Sequence, residues 1–175
     1  MTTNSNKQPK PSERRKARRF AVQALYEWQL SENDPVDIEK QFLEEHSFKK
    51  VDGDYFAELL HAIPKQQEEL DALLQKHMDR SIDSADPVER AIIRIACYEL
   101  KNRIDVPYRV VINEAIELAK TFGATDGHKF VNGVVDKLAM ELRSTECNYQ
   151  KEQQKEQQKS QQKSQQKSQK SKATD

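Results

Sequence analysis

Apolar residues recur at helical spacing along six stretches of the chain, and no stretch alternates apolar and polar positions over the length of a strand. The first stretch, about Ser12 to Leu30, sets Ala17, Phe20, Ala21, Ala24 and Trp28 on one face. A second, from Pro35 to about His46, turns Ile38, Phe42 and Leu43 inward. A third, from Asp54 to about Met78, repeats Phe56, Leu59, Leu60 and Ile63, then Leu70, Leu73 and Leu74. Pro64 interrupts it, and an interior proline removes a hydrogen bond and crowds the carbonyl four residues back, so a kink or break is expected there. The fourth, Pro87 to Asn102, is apolar on most of its circumference and suits the centre of a bundle. The fifth, Pro107 to Phe122, ends at Gly123 in the place of a left-handed cap. The sixth follows Thr125 and Asp126, runs to about Arg143, and carries Gly133 as a sign of close helix contact. Asn33-Asp34-Pro35, Asp86-Pro87 and Asp105-Val106-Pro107 read as helix starts, and Asp86 with Glu89 has capping-box spacing. The expected fold class is all-α, with about six helices.

Composition divides the chain further. Its 29 basic and 29 acidic side chains cancel, and the hydrophobic fraction is only 35%. By region the charge is +6 over residues 1–20, −10 over 21–149 and +4 over 150–175. An acidic body therefore carries two basic ends. After Cys147 the sequence repeats Lys-Glu-Gln-Gln and then Lys-Ser-Gln-Gln, with almost no apolar atoms to offset ordering entropy. The expected organisation is a flexible N-terminal arm (1–11), an N-terminal helical subdomain (12–80), a C-terminal helical subdomain (81–143) and a disordered Lys/Gln/Ser tail (144–175). No run of about 18 apolar residues and no secretory leader pattern occur, which predicts no membrane contact and a cytoplasmic location.

Catalysis finds no support. His46, His61, His77 and His128 fall on different predicted helices without ligand spacing, and there is no phosphate loop or nucleophile elbow. Cys97 and Cys147 form no motif, with Cys97 expected in the core and Cys147 in a polar tail. The expectation is a non-enzyme with no cofactor and no metal. The strongest chemical signal is Ser12-Glu-Arg-Arg-Lys-Ala-Arg-Arg-Phe20, five bases in six positions. Such a block suits a polyanion, because each base that neutralises a phosphate releases a condensed counterion. The plainer reading is a solvated helix end. A second cluster, Gly123 to Gly133, places Lys129 and Phe130 at a helix start beside Asp126, where Phe could stack a base and Lys meet a phosphate. By residue type alone, an ordinary capped turn with Phe130 in the core is favoured there.

These residues also carry a resemblance. Arg14-Arg-Lys-Ala-Arg-Arg-Phe-Ala-Val-Gln-Ala-Leu-Tyr26-Glu-Trp-Gln-Leu30, Val106-Pro-Tyr-Arg-Val-Val-Ile-Asn-Glu-Ala-Ile-Glu-Leu-Ala-Lys-Thr-Phe-Gly123 and His128-Lys-Phe-Val-Asn-Gly-Val-Val-Asp-Lys137 resemble the bacterial NusB family of transcription antitermination factors. The resemblance spans about Ser12 to Arg143. It implies an all-α, non-catalytic protein of two small crossed helical bundles, about six to seven helices, that binds the single-stranded boxA element of ribosomal RNA leaders together with NusE, a small-subunit ribosomal protein. It further implies service to an RNA polymerase antitermination complex and a linked role in small-subunit assembly. By matching positions it implies an RNA side of Arg14, Arg15, Lys16, Arg18, Arg19, Asp126, Lys129 and Phe130, and a partner side that includes Glu89. It also reverses the preference at the Lys129–Phe130 turn. The alternative is a helical protein-protein adaptor without sequence-specific RNA binding.

Overall fold

The computed structural model describes residues 8–172, and side chains as far as residue 164. Residues 1–7 of the expected arm and 173–175 of the expected tail lie outside the described residues. Among the described residues there are eight α-helices and no strand: α1 (Pro11–Ser31), α2 (Pro35–Glu45), α3 (Gly53–Lys65), α4 (Gln67–Gln75), α5 (Pro87–Asn102), α6 (Tyr108–Phe122), α7 (Gly127–Leu142) and α8 (Ser144–Lys172). A short 3-10 turn, Ile82–Ser84, precedes α5.

Two proline starts hold as read, at Pro35 and Pro87, while α6 begins one residue later than expected, at Tyr108, with Pro107 as its N-cap and no side-chain cap. Asp34 accepts from the Val36 amide at 2.8 Å, and Asp86 accepts from Val88 at 2.9 Å and Glu89 at 3.4 Å, each satisfying amides that a helix start leaves without intrahelical partners. The third stretch is two helices. Pro64 sits in the last turn of α3, and the chain leaves helical geometry at Gln66, with φ −106° and ψ 12°. The proline lacks the amide that would have served Leu60, so the break falls one residue beyond the helix it closes.

α5 is the central element, with α1, α3, α4, α6 and α7 packed around it. Ile92, Ile93, Ile95, Cys97 and Leu100 are each at most 1% exposed. Burying an Ile or Leu side chain is worth about 1.5–3 kcal/mol, so this helix supplies a large share of the core. α1 runs antiparallel to it: Arg18 meets Glu99 near one end, and the Gln29 amide donates to the Pro87 carbonyl at 2.8 Å near the other. The buried apolar residues of α1 through α7 form one continuous cluster, which Cys147 of α8 joins.

Three expectations change. Leu43 is half-exposed on the outer side of α2. Gly123 has φ −83° rather than a left-handed value, and its lack of a Cβ serves a close approach, since a Cβ would stand 2.7 Å from the Ala119 carbonyl oxygen. Gly133 is exposed, and a Cβ placed on it would meet nothing within 4 Å, so it mediates no close helix contact.

The expected disordered tail is helical in the structure as far as Lys172, and its root docks. Cys147 is fully buried, Glu146 accepts from the Tyr108 amide at 3.1 Å, and buried Arg143 donates to the carbonyls of Leu100, Val106, Glu99 and Arg103. Beyond residue 150 every described side chain is exposed. The helix fits the residue types, because Lys, Gln and Glu are good helix formers and no Gly or Pro intervenes.

Candidate nucleic-acid interface

Helical phase sorts the basic run of α1. Successive residues turn by about 100°, so five bases in six positions cannot share one face. Arg18 points inward and is 3% exposed. Its Nη2 lies 2.7 Å from Glu99 Oε1, and the Tyr55 hydroxyl donates to the same oxygen. Burial opposes the charge on Arg18, yet the Glu99 carboxylate more than restores it, and its pKa lies above the ordinary arginine value. Burial and Glu99 push the Tyr55 phenol up as well, so it stays a donor. Arg18 is thus a tie between α1, α3 and α5 rather than an exposed base, which removes it from the expected RNA side.

Arg14, one turn earlier, is also committed. It covers the Tyr55 ring at 4.5 Å and reaches Asp52 at 3.5 Å and Asp105 at 3.6 Å. Arg15 is open to solvent but forks onto Glu114 of α6, with its Nε 3.1 Å and its Nη2 3.0 Å from Oε1. Lys16 and Arg19 are exposed and have no ion-pair partner among the described residues.

These two bases edge an open groove of about 650 Å³. Lys16, Arg19, Phe20 and Gln23 of α1 form one wall, Ser47, Lys49, Lys50 and Val51 between α2 and α3 the second, and Thr121 and Phe122 at the end of α6 close it. Phe20 and Phe122 are its aromatic lining, and Phe20 is backed by Phe48, with centroids 5.1 Å apart and an interplanar angle of 22°. Four cations around apolar rings offer phosphate contacts at the rim and a stacking surface beneath. Lys49 and Lys50 were not singled out from sequence. Their signal was a lysine pair directly after Phe48 in a loop.

The turn after α6 is arranged differently from expectation. Asp126 precedes α7, but its side chain accepts no backbone amide; it pairs instead with Lys129 at 3.2 Å, both largely exposed. Phe130 is half-buried beneath the Arg80 guanidinium, 4.5 Å from its ring centroid. Lys129 and Phe130 stand outside the α1 groove, beyond the segment that follows Phe122.

Glu89, expected on the partner side, is only 5% exposed. Its carboxylate sits against Gly127 at the start of α7, where any Cβ would collide with it, and 3.8 Å from Arg80. Burial, with help from nearby Asp86, holds its pKa above the usual carboxylate range. Glu89 therefore braces the Arg80–Phe130 stack from inside and presents no free carboxylate to a partner.

Among the described residues no group of three or more His, Cys, Asp or Glu could hold a metal, and no helix is long and apolar enough to cross a membrane.

With this geometry in place, comparison with known proteins decides the family. The profile described as the NusB family matches residues 15–140. The chain belongs to the NusB family. It is 52% identical over 143 residues to the transcription antitermination protein NusB of Pseudomonas fluorescens, covering 82% of this chain and 86% of that one. To the Shewanella halifaxensis protein of the same name it is 59% identical over 134 residues, covering 77% and 99%. Among solved structures, T. maritima NusB superposes with a TM-score of 0.63 at 29% identity, covering 73% of this chain and 90% of that one. A structure of antitermination factors NusB and NusE in complex with dsRNA gives a TM-score of 0.62 at 29% identity, covering 71% and 94%. The protein is accordingly a non-catalytic, all-α member of the NusB transcription antitermination family. The matched region stops at residue 140, short of α8.

Proposed function

We propose that this NusB-family protein recognises the single-stranded boxA element of ribosomal RNA leaders together with NusE, and so supports ribosomal RNA transcription by an RNA polymerase antitermination complex and small-subunit assembly. The observation that carries the RNA reading is the groove of Lys16, Arg19, Lys49 and Lys50 over Phe20, four cations gathered on an otherwise acidic body. A single strand can bring phosphates to such a rim while an unpaired base reaches the aromatic lining, which a paired duplex cannot do. The solved structure of NusB and NusE with dsRNA supports RNA and NusE as partner classes, while the preference for a single strand rests on the groove alone.

In this reading Lys16 and Arg19 meet phosphates, Arg15 adds a base that Glu114 orients, and Lys129 and Phe130 extend the surface past the end of α6. Asp126 tempers Lys129. Arg14 and Arg18 hold α1 in place. Glu89 acts on the NusE side indirectly, by fixing Arg80 and the start of α7.

The test is a titration of boxA RNA and its scramble, each with and without NusE. Preference for boxA that sharpens when NusE is added is the expected result. Equal, weak binding of both RNAs would favour the adaptor.

A further inference from the structure

The second basic end of the chain has no role in the account above. From Lys151 every fourth residue is lysine, through Lys155, Lys159 and Lys163 and, in the sequence, Lys167. On a helix this spacing sets successive ammonium groups about 6 Å apart, each turned about 40° from the last, so they form one gently winding row. Between residues 157 and 172 there are five lysines and no acid. The row is also unanswered by the body: Lys151 touches only the Met140 sulfur at 3.6 Å, and the side chains from 151 to 164 are exposed. Like charges four residues apart destabilise a helix, so the row is a built-in repulsion that an opposing polyanion would turn into attraction.

Its position adds a second observation. The root of α8 is fixed at the first turn of α6, where Glu146 accepts from the Tyr108 amide at 3.1 Å and from Arg143 Nη1 at 2.8 Å. The same turn of α6, at Pro107 and Val110, borders the entry to α1 at Pro9, Pro11 and Arg14. The lysine row therefore leaves the acidic body at the start of α6, about 20 Å along that helix from Thr121 and Phe122, which close the α1 groove.

We propose that α8 is a second RNA-binding element, whose lysine row engages the phosphate backbone of single-stranded RNA flanking the segment held in the α1 groove. Contacts of this kind are sequence-blind and act by counterion release. Placing the strand next to the groove rests on the proposed RNA function; the charge row itself does not.

The test uses the full chain and a Lys155→Gln/Lys159→Gln/Lys163→Gln variant, since Gln keeps helix propensity and matches the tail's own residues. Two probes are titrated across salt: a boxA-length RNA and an oligouridylate of about 30 nucleotides. The variant should bind the short RNA as the wild type does. On the long probe its log–log salt slope should be shallower by about 2, from about 0.7 per lost phosphate contact. Raising salt from about 50 to about 200 mM should then cost the wild type roughly 15–20-fold more affinity than the variant loses. Equal slopes on the long probe would overturn the proposal, and lysine dependence with oligothymidylate but not oligouridylate would overturn RNA as the occupant. Failure of the boxA reading would show separately, as no preference for the short RNA over its scramble in either protein.

Discussion

Arg18 of α1 and Glu99 of α5 are 81 positions apart in sequence, and their charged groups lie 2.7 Å apart with both side chains buried. The pair joins the helix that carries the basic face to the helix at the centre of the core, and Tyr55 of α3 closes on the same carboxylate. The exposed bases of α1 are thereby set at a fixed angle to the Lys49–Lys50 loop across the groove.

Arg18→Ala should cost about 3–5 kcal/mol in urea or thermal unfolding, because it leaves Glu99 charged, buried and without its partner. That is a large part of the roughly 5–15 kcal/mol a domain possesses. Lys16→Ala, by contrast, should stay within about 0.5 kcal/mol of wild type. Equal stability of the two variants would remove the structural role assigned to Arg18.

How the sequence concealed this is a matter of phase. Five bases in six positions look like one patch, yet Arg18 falls beside Ala17, Ala21 and Val22 on the inward stripe, and α5 offers the matching sign in Glu99 within an otherwise apolar run. Charges inside such a run must be paired, which was the available clue. Helix starts were legible because Asp34 and Asp86 act locally through their own backbone. The Arg80–Phe130 stack and the burial of Cys147 were not, since each depends on partners from distant elements.

Glu89 predicts a pH dependence. Its folded pKa lies above the ordinary carboxylate value, so the folded state binds its proton more readily than the unfolded chain does. Stability from this residue is therefore greatest at acid pH and declines as pH rises from the ordinary glutamate value through the raised one. Glu89→Gln should remove that slope and leave the protein at least as stable as wild type at neutral pH, read from urea midpoints at several pH values. A variant less stable at neutral pH would mean that the negative charge itself serves Arg80 and the α7 amides.

Asp126→Asn should tighten RNA binding at low salt. The substitution frees Lys129 from its ion pair and removes a negative charge near the proposed strand. At an effective dielectric of about 20–80 and a separation of roughly 8 Å, the repulsion is about 0.5–2 kcal/mol, or about two- to thirtyfold in affinity. Because the Asp126 side chain caps no amide, Asp126→Ala should behave the same way with little loss of stability. A gain in affinity that persists unchanged at high salt would rule out this electrostatic origin.

Truncation should separate the docked root of α8 from its exposed length. Removing residues 155–175 takes away no buried side chain among the described residues and should leave the melting temperature unchanged. Removing 144–175 also deletes buried Cys147 and the Glu146 contact with Tyr108, and should lower it by several degrees. Differential scanning calorimetry of the two truncations makes the comparison.

The most direct measurement is the salt dependence of boxA RNA binding by a Lys16→Ala/Arg19→Ala variant against wild type. Both side chains are exposed and unpaired, so the fold should survive, and the log–log slope should become shallower by about 1.4, from two lost contacts of about 0.7 each. An unchanged slope with unchanged affinity, in a variant of wild-type stability, would contradict the assignment of this groove to RNA.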